Sequence, residues 1–327
     1  MQILGIVGQR VAYGGALLVC VLVLNFFLVH LAPGDAVDTI AGDMGGASEE
    51  VMAAIRAAYG LDRPLLEQLG IYLLNVAQLD LGHSFFFNRP VTELILDRLP
   101  ATLLLVISSQ VVAAVVGTFL GVMAARKPNG ILSHLLTLLS LLFYAAPVFW
   151  TGILFLIFFA SVIPIFPVAG MRDVMVEGGA FTHLMDILHH LVLPMLTLST
   201  IFLAVYSRLA RASMLDVLGA DYIRTARAKG LSERVVIFKH ALRNAVLPVV
   251  TIAGLQFSNV VSGAVLVETV FSWPGLGTLA LEAILGRDAP TILGILFFSS
   301  LVVVVVNILT DLSYRLIDPR IKSHLDL

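Results

Sequence analysis

Asp221-Tyr-Ile-Arg-Thr-Ala-Arg-Ala-Lys-Gly230 is a short basic stretch set between two long apolar ones, residues 191–210 and 246–270. That alternation decides the fold. A helix needs about 20 mostly apolar residues to cross the hydrocarbon core of a bilayer. Working outward from the basic stretch, the sequence supplies such runs at 11–31, 101–125, 135–162, 191–210, 246–270 and 291–312. The composition agrees. Of 327 residues, 59% are hydrophobic and only 13% charged, where a soluble domain carries about a quarter. Lipid is therefore the expected solvent. The expected fold class is an all-α membrane protein of about six transmembrane helices, a single domain over 1–327. Within it, 11–31 is the first span, 32–100 an external segment, 101–312 a core bundle and 313–327 a tail.

Lys and Arg set the orientation. With the N-terminus inside, fourteen of the 20 basic residues fall on inner segments, eight of them from Arg208 to Arg243. The outer segments hold Arg56, Arg63, Arg89, Arg98, Arg172 and Arg287. Both termini are thus expected in the cytoplasm, and 211–245 is the largest cytoplasmic segment. The run behind Arg10 is too long for the core of a signal peptide and no small-x-small cleavage site follows it, so it reads as a retained anchor. The net charge of −2 argues against nucleic acid as a partner. The one cysteine, Cys20, rules out a disulfide framework and reads as packing.

The external segment carries its own helix signals. Ser48 is placed to cap a helix with Glu49 and Glu50 in its first turn and Gly60 at its stop. Asp62 is placed to cap a second helix with Pro64 in the first turn. There Leu65, Leu69, Tyr72 and Val76 share one face, which reads as packing on the bilayer or a partner. In the basic segment, Asp221 to Lys229 reads as a short helix, and Gly230 fits the left-handed residue that ends one. Ser232 and Glu233 then start a second helix, and Pro248 opens the next span. A helix–glycine–helix elbow looks like a docking element. Charge alone allows equally a positive-inside loop that attracts anionic lipid.

The same residues carry a resemblance. The stretch 221–230 followed by His240-Ala-Leu-Arg-Asn-Ala245 resembles the cytoplasmic signature loop of ABC importer permeases, in the form of the dipeptide/oligopeptide/nickel family. Arg224-Thr225-Ala226 and Gly230 stand where that signature has Glu-Ala-Ala and its glycine. Arg243 replaces a proline common in other importer families, as it does in this one. Further motifs follow in order: Leu31-Ala-Pro-Gly-Asp35, Tyr59-Gly-Leu-Asp-Arg-Pro64, Leu81-Gly-His-Ser84, Arg98-Leu-Pro-Ala-Thr102, Phe271-Ser-Trp-Pro-Gly-Leu-Gly277 and Asp318-Pro-Arg320. Leu79 departs from the pattern, where family members usually have glycine. The long first external segment and the ending resemble the first of the two paired permeases.

The resemblance implies a subunit that binds no cofactor itself. Its implied partners are a second homologous permease, two ATP-binding subunits that carry ATP and Mg, an external substrate-binding protein and membrane lipid. Asp221, Tyr222, Arg224, Thr225, Ala226, Lys229 and Gly230 would couple the permease to the ATPases. The family handles dipeptides, oligopeptides, nickel complexes, glutathione and opine-like compounds, with peptide the default. The implied location is a bacterial inner membrane, crossed several times.

Read from the residues themselves, Gln256, Asn259 and Gly263 share a helix face with Ser258 and Ser262 beside it. That face, Ser262 included, either lines a translocation pathway or hydrogen-bonds a neighbouring helix. Glu268, at the outer end of the same span, is the acidic candidate for gating. Ala113, Gly117, Gly121 and Ala125 recur every four residues, a face for close helix packing. Asn307 and Asp311 read as a structural pair or a membrane-edge anchor rather than a proton relay. His183, Asp186 and His190 share a spacing that suits a metal, yet read better as interfacial residues, so no metal site is expected. No Gly-x-x-x-x-Gly-Lys-Ser/Thr loop is present, so this chain should not hold ATP's phosphates. No nucleophile motif or triad stands out and no enzymatic activity is expected. A stand-alone secondary transporter would want ionisable residues in mid-span and inverted repeats, and an intramembrane hydrolase a paired nucleophile and base; neither is apparent.

Overall fold

The fold was analysed in a computed structural model. It describes residues 2–31, 48, 50, 52–53, 62–84 and 86–317, excluding the side chains of 2–7, 9–11, 255, 257–263 and 309–317. The described residues are mainly helical. Five helices are long and apolar enough to cross a membrane: Ala12–Leu31, Val91–Arg126, Ala180–Leu218, Glu233–Gly254 and Ala289–Ile308. A pair bent by 107°, Ile131–Ala145 with Val148–Val162, makes a sixth if counted as one span. The chain divides into two compact units, residues 1–100 with 275–308 and residues 101–274 with 309–327.

In the first unit, α1 (Gln2–Leu31) and α2 (Leu65–Ala77) pack through Phe26 and Tyr72, whose rings stack at 5.7 Å. Val76 is buried and Leu69 and Tyr72 half-buried, so the amphipathic face meets protein, with Leu65 left exposed. Burial pushes the Tyr72 phenol up to about 12. Pro64 sits at the N-cap of α2 rather than in its first turn, and no side chain caps that helix. Asp62 does not cap it; Arg63 pairs with Glu67 at 3.1 Å instead. Of the earlier helix expected behind Ser48, Glu49 and Gly60 lie outside the described residues.

Two more helices complete this unit, α11 (Leu276–Leu285) and α12 (Ala289–Ile317). The core joins Leu22, Leu81, Val91, Ile95, Leu279 and Phe297. A buried carboxylate ties the turn at 81–84 to the start of α12. Asp288 accepts hydrogen bonds from Ser84 (2.5 Å) and Thr291 (2.6 Å).

In the second unit, α6 (Ala180–Leu218) is the element against which α4 (Ile131–Ala145), α5 (Val148–Leu156) and α10 (Leu247–Val270) pack. Helix α3 (Val91–Arg126) also approaches it closely, and the small-residue face explains why. A Cβ on Gly117 would lie 2.9 Å from Tyr206 Cβ, and one on Gly121 would collide with the Ser207 carbonyl. The run 135–162 is not one straight helix. Pro147 lacks the N–H that would continue α4, and Ala146 is extended at ψ 134, so the chain turns there. The spans expected to begin at 101 and 191 are the inner parts of longer helices, each carrying its proline inside, Pro100 and Pro194.

Candidate functional site

The basic stretch folds as α7 (Asp221–Ala228), whose two buried residues fall at i and i+3. Ile223 (0% exposed) and Ala226 (7%) turn inward and join Val122, Met214, Val236 and Ile237 in a small core. Asp221, Tyr222, Arg224, Thr225 and Lys229 are exposed. Ala226, expected among the coupling residues, therefore anchors the elbow from beneath.

The helix ends in a Schellman arrangement. The Gly230 N–H donates to the Arg227 carbonyl (2.9 Å) and the Leu231 N–H to that of Ala226 (3.4 Å). This requires a left-handed residue at 230, and Gly230 has φ +74 with no atom within 4 Å of where a Cβ would sit. The return arm is α8 (Glu233–Val235), a π-helical segment at Val236–Ala241 and α9 (Leu242–Ala245). Ser232 occupies the N-cap position, but its hydroxyl makes no cap bond. Glu233 instead reaches across the elbow, taking hydrogen bonds from Arg227 Nε (2.7 Å) and a terminal nitrogen (3.4 Å). Asn244 donates to the Tyr222 hydroxyl at 2.8 Å, so the second half of the quoted motif positions the first. The Arg224–Asp221 pair at 3.3 Å is almost fully solvated and adds little.

These contacts close the elbow into one body. Its outer face mixes charge (Asp221, Arg224, Lys229) with exposed apolar surface on Tyr222, Leu231 and Phe238. Buried Ile223 and Ala226 connect that face to the helix ends beneath it.

Of the expected pathway residues, Gln256 is half-buried, while the side chains of Asn259, Ser262 and Gly263 lie outside the described residues. Glu268 is fully buried, and its carboxylate accepts the Thr102 hydroxyl at 2.6 Å, joining α10 to α3. Close by, Trp273 donates its indole N–H to the Ala101 carbonyl at 2.9 Å. The sequence reading missed the buried Gln110, which donates to Tyr206 and to the Ala253 carbonyl. A lone amide in an apolar run was the available signal. Asp186 and His190 pair at 3.2 Å, and Asp186 also accepts the Asp173 N–H at 2.8 Å. His183 is exposed, and no group of three or more metal-ligating side chains occurs among the described residues. Asn307 is exposed and the Asp311 side chain lies outside the described residues.

Comparison with known proteins adds the following. Residues 117–323 match the family described as binding-protein-dependent transport system inner membrane component, and residues 4–106 match its N-terminal region. The dipeptide transport system permease protein DppB of Escherichia coli K12 is 41% identical over 319 residues, covering 91% of this chain and 93% of that protein. DppB of Alkalihalophilus pseudofirmus is 38% identical over 314 residues, covering 92% and 94%. A solved structure of the MetNI methionine ABC transporter in an inward-facing conformation is similar in fold, with TM-score 0.56 and 17% identity over 69% of this chain and 97% of that one.

Proposed function

The chain belongs to the binding-protein-dependent transport system inner membrane components, and from that premise we propose that it is the membrane-spanning subunit of an ATP-driven peptide importer, coupled to its ATPases through the elbow at 221–245. The observation that carries this is the construction of the elbow. An exposed, mixed apolar and charged face stands on two buried anchors, Ile223 and Ala226, and is closed by Gly230 and the Arg227–Glu233 pair. A push on Tyr222 or Arg224 passes through those anchors to Met214 of α6 and Val122 of α3 instead of bending a loop.

In this reading the whole chain works as one unit beside a second homologous permease, two ATP-binding subunits and an external binding protein. ATP and Mg reside in the ATPases. The Lys and Arg asymmetry favours cytoplasmic termini and a cytoplasmic elbow. Gln256, Asn259, Ser262 and Gly263 line the pathway, and Glu268 holds the end of α10 against α3 until transport releases it. Peptide is favoured as substrate because relatives matched over more than nine-tenths of this chain are named dipeptide permeases.

The test is to extract the tagged complex in mild detergent, identify the co-purifying subunits and measure uptake of labelled dipeptide. Proline at 230 would fix φ near −65° where the elbow needs +74°. Gly230→Pro should keep the chain in the membrane, release the ATPases and abolish uptake. Wild-type uptake by Gly230→Pro would sink the coupling role. A chain that purifies alone and transports alone would sink the importer.

A further inference from the structure

Beside the elbow lies a cavity of about 580 Å3. Its lining is basic in part, from Arg126 and Lys127 where α3 ends and from Arg227 of α7. Glu233 accepts hydrogen bonds from Arg227 and is also attracted by Arg126, so the lining sets three cations against one carboxylate and keeps two positive charges in excess. The single side-chain hydrogen bond described for Arg126 is a long one, 3.9 Å to the Met123 sulfur. Leu218 and Ile237 add an apolar wall to the same lining. A soluble anion would use the cations and leave this apolar wall wet.

The rest of the lining points to what uses both. Ile131 and Leu132 line the cavity at the start of α4, whose N-cap Gly130 leaves the helix without a side-chain cap. From there Ile131 (80% exposed), Leu135 (49%), Leu138 (63%) and Leu142 (57%) continue along one face of α4. This stripe belongs to the bent pair that is apolar enough to enter the membrane. The cavity thus adjoins the ends of helices long and apolar enough to cross a membrane, and the exposed apolar stripe of α4 starts in its lining.

We propose that this cavity binds an anionic phospholipid, its phosphate held by Arg126 and Lys127 and its chains lying along Ile131, Leu135, Leu138 and Leu142. The charge complement is a single phosphodiester, and its position beside Arg227 brings lipid occupancy to the ion pair that closes the elbow. The site does not depend on the elbow being the place where an ATPase docks.

The experiment is native mass spectrometry of the full chain, and of the assembled transporter, delipidated and titrated with phosphatidylglycerol or phosphatidylcholine. Each basic side chain near a membrane surface favours anionic lipid about fivefold, so two give a preference of roughly thirtyfold. Arg126→Gln with Lys127→Gln should cut that preference to within about twofold of none, whereas the charge-keeping pair Arg126→Lys and Lys127→Arg should retain it. Lys239→Gln removes an exposed charge outside the cavity and serves as the control. Leu135→Gln with Leu138→Gln should weaken lipid retention without altering any binding of inorganic phosphate. An unchanged preference in the double Gln variant overturns the proposal. So does inorganic phosphate displacing the lipid at equal concentration, which would mark a free-anion site. Loss of the lipid from the assembled transporter also overturns it, since the cavity would then be a protein interface. Melting curves of each lipid-free variant separate loss of the site from loss of the fold.

Discussion

Helix α7 and helix α2 stop in the same way with opposite residues in the critical place. After α7, the left-handed position is Gly230 at φ +74; after α2 it is Leu79 at φ +61. Both complete the same pair of bonds, and at α2 the donors are Leu79 to the Val76 carbonyl (3.0 Å) and Asp80 to that of Asn75 (2.9 Å). Two more helices share the arrangement, α10 with Ser272 at φ 49 and α11 with Arg287 at φ 50. A side chain in this region costs about 1–2 kcal/mol. What differs is the next residue. After Ser272 and Arg287 come Trp273 and Asp288, both 0% exposed; the apolar burial of Trp273 and the hydrogen bonds made by Asp288 offset the strain. After Gly230 comes the partly exposed Leu231, and glycine there avoids the strain altogether. Leu79 has neither device, because Asp80 is exposed, its side chain accepting the Gly82 N–H at 2.9 Å.

The largest effect should come from Trp273→Ala, which empties a fully buried site and should destabilise by about 3–5 kcal/mol, read as a fall in the denaturant midpoint of the purified chain. Asp288→Ala strands the Ser84 and Thr291 hydroxyls in a buried place and should cost about 1–3 kcal/mol by the same measurement. Gly230→Ala introduces strain without a clash and should cost about 1–2 kcal/mol, while Gly230→Asn, a residue better tolerated in this region, should cost less. If Gly230→Ala is neutral, the turn is not held left-handed in the folded protein. The smallest effect has the opposite sign. Leu79→Gly should stabilise by up to about 1 kcal/mol, a rise in melting temperature with uptake unchanged, and a fall would show that the Leu79 side chain is held by contacts that repay its φ.

The elbow was legible in the sequence because its chemistry is local. A short basic helix, a glycine and a second helix start lie within thirteen residues, Asp221 to Glu233, and each signal speaks for itself. The number of apolar runs was equally legible, since hydrophobicity needs no partner. The bend at Pro147 was carried by a visible proline, but an apolar run of that length reads as one span unless the proline is given more weight than the hydropathy. The left-handed Ser272 and Arg287 were not legible, because what permits them is the packing of Trp273 and the hydrogen bonding of Asp288, which only the fold supplies. The pairing of Thr102 with Glu268, 166 positions apart, was hidden for the same reason. One sequence shows that a carboxylate stands near a span end, and nothing in it says which hydroxyl will meet it. Ala226 shows the limit within a recognised motif: the signature placed it in the coupling element, and only packing against Val236 and Ile237 turns it inward.

The most direct test of the coupling role is a crosslink from the elbow's outer face. Tyr222→p-benzoylphenylalanine, introduced into the intact transporter in membranes and irradiated, places a reactive ketone on the exposed face beside Arg224. A covalent product with the ATP-binding subunit is expected, its yield changing when ATP is added and trapped. A probe that reacts only with lipid or with the second permease, in every nucleotide state, would contradict that role.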